Sequence, residues 1–528
     1  MNSPKRSYIY LPIIFALLIV FGIYIGMRFG PSVNIRVQRN DKIESLIQYI
    51  KQRYVDTVNT TQLEDKALSA LLQSLDPHSS YIPASEAKEA NEQLQGNFGG
   101  IGVEFNILND TIRIVSPIAG GPSESLGIQA GDMIVKIEGV NVAGVKVTNK
   151  TVFSKLRGEQ GTKVNVSIKR RGTKQLLEYT ITRGEIPIYS VDVSYMLTKQ
   201  IGYIKVSRFG ATTFDEYIEA FDKLKAQGMK KMILDLRGNP GGYLGTAVNL
   251  ADEFLENGKE IVYTEGRSDK RKYHKATSQG EFEKEPLVIL IDEGSASASE
   301  IVSGAVQDND RGTIVGRRSF GKGLVQEPLE FKDGSSVRLT IARYYTPTGR
   351  CIQKSYKEGL DAYYNEEITR YDNGELQSAD SIKFADSLKY KTPAGKIVYG
   401  GGGIMPDVFV PLDTTGHSTY LSQVSYIGLI NQFAFDYADK HRAQLKTFTT
   451  AEQFIKGFNV DDKIINEFVA FAEKGGVKPR EKDIQHSSSV LKNHIKALVA
   501  RNILGNNGYY PIIQLNDKTL QRATEVLK

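Results

Sequence analysis

The spacing of apolar positions changes along the chain, and each change marks a different kind of element. A nearly uncharged apolar run from Ile9 to Met27 comes first, about long enough to span a ~30 Å hydrocarbon core as a helix. From Asp41 to Gln95 apolar residues recur at spacings of three and four (Ile43, Leu46, Ile47, Ile50, then Leu68, Leu71, Leu72, Leu75), which predicts amphipathic helices. Asp76-Pro77-His78 ends the second, and Pro83 with Ser85 opens a third. Near Gly96 the period falls to two. The stretches 99–105, 111–115, 132–137 and 164–169 alternate or run apolar between turns at Gly120-Gly121-Pro122, Gly131-Asp132 and Gly172, predicting a small β-rich module. From Ile201 strands and helices alternate: strand Ile201 to Val206, helix Thr213 to Gln227, then buried strand Lys231 to Leu236 running into Arg237-Gly238-Asn239-Pro240-Gly241-Gly242. A helix (Leu244 to Leu255) and strands at Ile261 to Thr264 and Leu287 to Ile291 follow. Such alternation predicts an α/β core with a largely parallel sheet, whose sites lie in loops after strand C-termini. After a strand over Ser335 to Tyr345, residues 354–397 are rich in Tyr, Asp, Glu and Lys and read as a surface insertion. From Thr419 to the end helical spacing returns (Ile427, Leu429, Ile430, Phe433, then Ile464, Ile465, Phe468, Phe471). The expected fold class is α+β multidomain. A cytoplasmic tip and membrane helix occupy 1–30, a helical segment 31–96, the β-rich module 97–185, the α/β core 186–412 and a C-terminal helical domain 413–528.

Composition narrows the function classes. With 24% charged and 40% hydrophobic residues among 528, the chain is ordinary globular material and not wholesale disordered. The formal charge of +6 is small for this length and the basic residues are scattered, so a cluster such as Lys270-Arg271-Lys272 reads as a solvated loop and no nucleic acid partner is expected. The single cysteine, Cys351, excludes an intrachain disulfide and reads as a structural thiol. Lys5 and Arg6 before the apolar run direct the N-terminus to the cytoplasm and the remainder outward. No small-x-small cleavage site follows, which favours a retained single-pass anchor in the cell membrane and an extracytoplasmic, periplasmic body. His78 has no other ligand at metal spacing and reads as a turn residue; no metal and no cofactor is expected.

The chemistry concentrates in 292–326. Ser295, Ser297 and Ser299 crowd a small-residue turn, and a lone Lys322 lies between Gly321 and Gly323 after a short strand, Thr313 to Gly316. Residues 316–322 fit the first seven places of a phosphate-binding loop. The eighth place is Gly323 where Ser or Thr must hold magnesium, and a strand pattern follows instead of a helix. Ser319-Phe320-Gly321-Lys322 also fits the S-x-x-K spacing of penicillin-recognising enzymes, but its glycines make a poor helix and the partner K-T-G is absent. A Ser-His-Asp triad needs G-x-S-x-G, which the SASAS run does not supply. What remains is a serine of 295–299 with Lys322 as its base. A lysine serves as base only if desolvation lowers its pKa from ~10.4 toward neutrality, and Phe320, Leu324 and Val325 suit such burial. Gln326, four residues on, would share a strand face with Lys322 and hold the amine without adding charge. Spacing alone does not choose among the three serines.

Several ordered motifs go further. SASASE followed by FGKGLVQ, with GNPGG before and YYTPTGRCIQ after, and DPHSSYI and FGGIGVEF upstream, resemble the carboxyl-terminal processing proteases, the S41 peptidase family, over roughly 40–355 and 400–412. Gly100-Ile101-Gly102-Val103 followed by IAGGPSESLGIQAGDMIVKIEGV resembles a PDZ domain, a fold that captures a C-terminal carboxylate in the amides of its glycine loop beside an open strand edge. The resemblance implies Ser297 as nucleophile, Lys322 as general base and Gln326 as the orienting group. It implies an oxyanion hole from the amide of Ala298 and one of the Gly238 to Gly242 turn, with Gly241 and Gly242 the candidates. Ser295 and Ser299 are then structural, closing the turn and capping a helix that starts at Glu300. Gly100, Ile101, Gly102 and Val103 would bind protein substrates with exposed C-termini, and Arg157 is the candidate for coupling that module to the protease. The expectation is a membrane-anchored extracytoplasmic serine endopeptidase. The alternative is an inactive PDZ scaffold delivering clients to another protease. The insertion 354–397 and the helical tail depart from the shortest family members and leave the oligomeric state open, a homo-oligomer included.

Overall fold

The computed structural model describes residues 15–22 and 42–528. Residues 15–22 are helical, and the rest of the expected Ile9–Met27 span lies outside the described residues. Among those described, no helix is long and apolar enough to cross a membrane. The chain up to Leu71 is a unit of its own, built from α1 (Lys42–Arg53) and most of α2 (Thr60–Gln73), at the three-and-four spacing read in the sequence.

The second unit, from Leu72, opens with the Asp76-Pro77-His78 turn, β1 (Ser80–Ile82) and α3 (Ala84–Gln95). Gly96 stops α3 in the left-handed conformation, φ 80°, with its N–H donated to the Glu92 carbonyl. The β-rich module follows: β2 (Asn97–Gly100), β3 (Val103–Leu108), β4 (Thr111–Pro117), β5 (Met133–Ile137), α4 (Asn149–Leu156), β6 (Lys163–Lys169), β7 (Leu177–Thr182) and β8 (Gly184–Pro187). Strands β3-β4-β5-β6-β7 form an antiparallel sheet over a core that includes Ile112, Ile114, Ile134, Val164 and Ile168, while β2 pairs with β8 at the neck. Among the described residues β3 is an edge strand with one side unpaired, the arrangement an added peptide strand needs.

The α/β core comprises β9 (Val191–Met196), β10 (Ile201–Val206), α5 (Thr213–Ala226), β11 (Lys231–Asp235), α6 (Leu244–Asp252), β12 (Glu260–Gly266), β13 (Lys272–Lys275), β14 (Leu287–Ile291), α7 (Ala298–Asp308), β15 (Thr313–Gly316), β16 (Leu324–Glu330) and β17 (Ser336–Tyr345). Its central sheet runs β9-β10-β11-β14-β15 and ends on β18 (Val408–Phe409); all neighbours are parallel except β9 with β10. Every residue of β14 is buried, as a continuous apolar run in a parallel sheet covered on both faces requires. One face packs on Tyr217 and Phe221 of α5, Leu250 of α6 and Val302 of α7. The other face, carrying Tyr203, Ile233 and Val288, packs on Leu520, Ala523 and Leu527 at the end of the chain. A second sheet, β1-β17-β12-β13 with β16 paired to β17, stands beside it.

Two expectations need correction. Residues 354–397 are not a surface insertion only: within them α8 (Leu360–Tyr364) and α9 (Glu366–Asp372) carry Tyr363 and Arg370 inward, and Lys354, Glu375 and Leu376 are buried as well. Charge is buried there because it is paired. Arg318 and Arg370 each contact Glu375 at 2.7 Å, Lys354 contacts Glu366 at 2.5 Å, and Arg370 Nη2 donates to the Arg318 carbonyl at 2.7 Å. The second correction concerns the helix after the serine turn. It begins at Ala298 with Ser297 as its N-cap, and Ser299 lies inside it.

From the C-terminal helices, α10 (Leu429–Lys440) and α11 (Glu481–Leu504) reach the β-rich module. Phe435 packs between Leu108 and Val115, and Arg113–Asp436 (3.1 Å) and Arg501–Glu104 (3.1 Å) flank it. The last helix, α12 (Lys518–Val526), packs on the central sheet of the α/β core, so one helical region touches both.

Candidate active site

The serine turn is knitted to the glycine turn by one buried side chain. Asn239 donates to the Val206 carbonyl (2.9 Å) and accepts the Gly241 N–H (2.9 Å), while its own carbonyl accepts Ala296 N–H (2.9 Å) and Ser299 Oγ (3.0 Å). Ser295 Oγ donates to the Leu236 carbonyl at 2.8 Å. Ser295 and Ser299 are therefore committed to backbone, as expected for structural residues, though Ser299 does so from within the helix. Ser297 instead lines a cleft shared with Lys322, Gln326, Gly242 and Tyr344. Its backbone sits at φ 54°, ψ −111°, a conformation a non-glycine residue holds only when its surroundings impose it, at a cost of about 1–3 kcal/mol. Gly241 supplies part of that imposition. A β-carbon there would lie 2.7 Å from Ser297 Cβ and 2.9 Å from Ala298 N, so only glycine permits the approach.

A residue the sequence reading passed over fixes the serine relative to the lysine. Glu300 is fully buried; its Oε2 accepts Ser297 N–H (2.8 Å) and Lys322 N–H (2.9 Å), and its Oε1 accepts Ser319 Oγ (2.5 Å) and Gly321 N–H (2.7 Å). Burial pushes its carboxyl up to about 7, against the pull of these donors. The Ser-x-x-Glu spacing of a capping box, Ser297 to Glu300, was the available signal. The Tyr344 hydroxyl adds a second tie, lying 3.0 Å from the Ser297 carbonyl and 2.5 Å from that of Lys322.

Lys322 precedes β16 rather than lying on it, and a bulge between Val325 and Gln326 turns Gln326 toward it. The shared strand face expected of the pair is thus replaced by a loop-to-strand contact, with Nζ donating to Gln326 Oε1 at 3.2 Å. Gln326 Nε2 donates in turn to the His78 carbonyl. Burial lowers the Lys322 pKa from the ordinary lysine value, helped by the Arg338 guanidinium and opposed by Glu300 and Asp76. No hydrogen bond joins Nζ to Ser297 Oγ among the described residues, a common condition of sites without substrate.

Of the oxyanion candidates, Ala298 is the first residue of α7, where an N–H has no intrahelical partner. Gly241 is corrected: its N–H is already given to Asn239 Oδ1, because the turn closes on that side chain. Gly242 lines the cleft, and its N–H donates to nothing among the described residues. Cys351 stands outside the cleft, its thiol pushed up by burial.

In the β-rich module Ile101 and Gly102 have amides without partners among the described residues. Their carbonyls are held, Ile101's by Ser123 N–H (3.1 Å) and Oγ (2.6 Å) and Gly102's by Ile118 N–H (2.9 Å). Gly100 ends β2 and Val103 begins β3, and Val103 lines a groove with Phe105, Val147 and Phe153. Arg157, just past α4, lies over the rings of Phe98 (4.3 Å) and Phe153 (4.4 Å) and pairs with Glu92 of α3 at 3.2 Å. Helix α3 also carries Asn91, Leu94 and Gln95, which line the cleft of Ser297.

Residues 200–361 match the profile of peptidase family S41, residues 99–181 that of a PDZ domain and residues 420–505 that of a family of unknown function. The carboxy-terminal-processing protease of Bartonella bacilliformis is 39% identical over 313 residues, covering 58% of this chain and 71% of its own. Carboxy-terminal processing protease CtpA of Bacillus subtilis is 36% identical over 332 residues (63% and 70%), and CtpB of the same organism 34% over 347 residues (65% and 71%).

Proposed function

The chain belongs to the carboxy-terminal processing serine proteases of peptidase family S41, and from that premise we propose that it cleaves peptide bonds with Ser297 as nucleophile and Lys322 as general base. The observation that carries the reading is a strained serine and a desolvated lysine in one cleft, their backbone amides sharing the Glu300 carboxylate. Neutral Lys322 takes the Ser297 hydroxyl proton as Oγ attacks the scissile carbonyl carbon. The amides of Ala298 and Gly242 donate to the oxygen that gains the electron pair. Lys322 then passes its proton to the leaving amine as the C–N bond breaks, and deprotonates the water that frees the acyl group. Gln326 holds Nζ as a neutral acceptor; a carboxylate there would raise the lysine pKa again.

The PDZ domain recruits the substrate. The amides of Ile101 and Gly102 take the C-terminal carboxylate and the peptide adds to the open edge of β3. Arg157 carries occupancy onward, since it touches Phe153 in the groove and Glu92 on the helix that walls the cleft. The Lys5-Arg6 flank and the Ile9–Met27 run support a retained membrane anchor with the body outside the cytoplasm.

Ser297→Ala tests the assignment. It should abolish hydrolysis of an internally quenched peptide while the binding of a C-terminal peptide, followed by fluorescence anisotropy, stays unchanged. Surviving hydrolysis would move the nucleophile elsewhere, and a wild type that binds such peptides but cleaves none would favour an inactive PDZ scaffold.

A further inference from the structure

We propose that Tyr363, on α8 of the insertion, is a positioning residue for Lys322, joining the His78 turn and the Gly323 amide in one hydrogen-bonded circuit around the base. The inference rests on the reading of Lys322 as that base. Two relays leave this lysine and its neighbour and meet on His78. The first starts at the side chain, where Nζ donates to Gln326 Oε1 (3.2 Å) and Gln326 Nε2 donates to the His78 carbonyl. The second starts at the next amide. Gly323 N–H donates to Gln353 Oε1 (2.8 Å), Gln353 Nε2 donates to the Tyr363 hydroxyl (3.3 Å), and that hydroxyl lies 2.6 Å from His78 Nε2.

The donors fix the direction of every link but the one at His78 Nε2. Burial first, and then the Lys322 charge, pull His78 down to about 4, so the ring is neutral at neutral pH and carries one N–H. With Gln353 donating to the phenol oxygen, the last link closes in either tautomer of the ring: the phenol O–H donates to a bare Nε2, or an Nε2–H donates to the phenol oxygen, and loss of that oxygen breaks it in both cases. The same turn is gripped elsewhere: Asp76 Oδ1 accepts His78 N–H and Ser79 N–H at 2.8 Å each, and the Tyr364 hydroxyl donates to the Pro77 carbonyl at 2.6 Å. Tyr363 itself is 3% exposed, edge-on to His78 and Phe320, with Lys354 Nζ 4.1 Å from its ring centroid.

The consequence falls on Gln326. Its amide has two similar ends, and only a carbonyl placed to receive Nε2 forces Oε1 toward Lys322; flipped, it would aim N–H groups at the amine. Holding the His78 carbonyl in one position therefore holds the acceptor of the base in one orientation. The charged groups facing Lys322 are Arg338 on β17, Glu300 on α7 and Asp76 in the turn, with neutral His78 beside them. Tyr363→Phe alters none of these charges, so a change in the pH dependence of turnover reports on position.

The test is steady-state hydrolysis of an internally quenched peptide by the full chain as a function of pH, for wild type, Tyr363→Phe, Lys322→Ala and Tyr371→Phe. Tyr363→Phe keeps the ring and loses one oxygen. Its kcat should fall about tenfold with KM within about twofold, the cost of a displaced catalytic group rather than of lost binding. Its acid limb should move to higher pH as water reaches Nζ. Tyr371→Phe, on the exposed face of α9, should match wild type. If Lys322→Ala keeps wild-type turnover, the base assignment falls and the proposal with it. If Lys322→Ala is inactive while folded Tyr363→Phe retains wild-type kcat and limb, the positioning role alone is overturned. Should Tyr363→Phe fail to fold, Gln353→Met, which cuts the second relay, is read by the same criteria.

Discussion

Glu300 is where single-residue chemistry and geometry meet most closely. Each carboxylate oxygen accepts two donors, one pair from Ser297 and Lys322 and the other from Ser319 and Gly321. Glu300→Gln keeps the shape but replaces one oxygen with an NH₂ group, setting donors against donors in a buried space. The expected cost is about 1–3 kcal/mol at the site, roughly ten- to a hundredfold in kcat, checked by kinetics alongside a thermal melt. The sequence made this residue visible as part of SASASE, yet a charged side chain after a turn reads as solvent-facing. Burial of a carboxylate depends on donors from residues about twenty positions away, which local patterning does not register.

At the scale of elements, the site is a meeting of two tight turns. Gly241→Ala would put a methyl 2.7 Å from Ser297 Cβ at a φ of 98°, so the serine turn must shift. Turnover should drop by about a hundredfold, with far-UV circular dichroism and C-terminal peptide binding retained. Both turns were legible from their glycines and small residues at strand ends, as were the strands themselves, whose periods are short and unbroken. The start of α7 was not, because the distinction between Ser297 and Ser299 as cap lies in backbone dihedrals. The packing of 354–397 was hidden too. Its Arg370 and Glu375 pair inside the protein, with Arg318 from the core on the same carboxylate, whereas a reading by hydropathy assigns each of them to water.

Across the molecule, the helical tail supports the catalytic sheet. Leu520 is 3% exposed against the sheet face carrying Tyr203 and Ile233, opposite the face that packs on α7. Leu520→Ala should cost about 2–5 kcal/mol in chemical denaturation while kcat at low temperature is unchanged, because the lost methyl groups lie on the far side of the sheet from the cleft. Helical spacing identified the tail as helices but could not say what they cover, since an apolar stripe carries no address. The same tail reaches the PDZ domain through Phe435, so recognition and hydrolysis are built on a common support.

The central claim is that a desolvated Lys322 in its neutral form removes the Ser297 proton. Because its pKa is lowered, the neutral form appears, and activity rises, as pH climbs through a value below the ordinary lysine range. Glu300, at about 7, can titrate in the same window, but an amine has a large ionisation enthalpy and a carboxyl a small one. The decisive measurement is the acid limb of kcat/KM for peptide hydrolysis at several temperatures, with Lys322→Ala beside wild type. The account predicts a limb that moves to lower pH on warming and an inactive Lys322→Ala; a temperature-independent limb, or hydrolysis that survives Lys322→Ala, would contradict it.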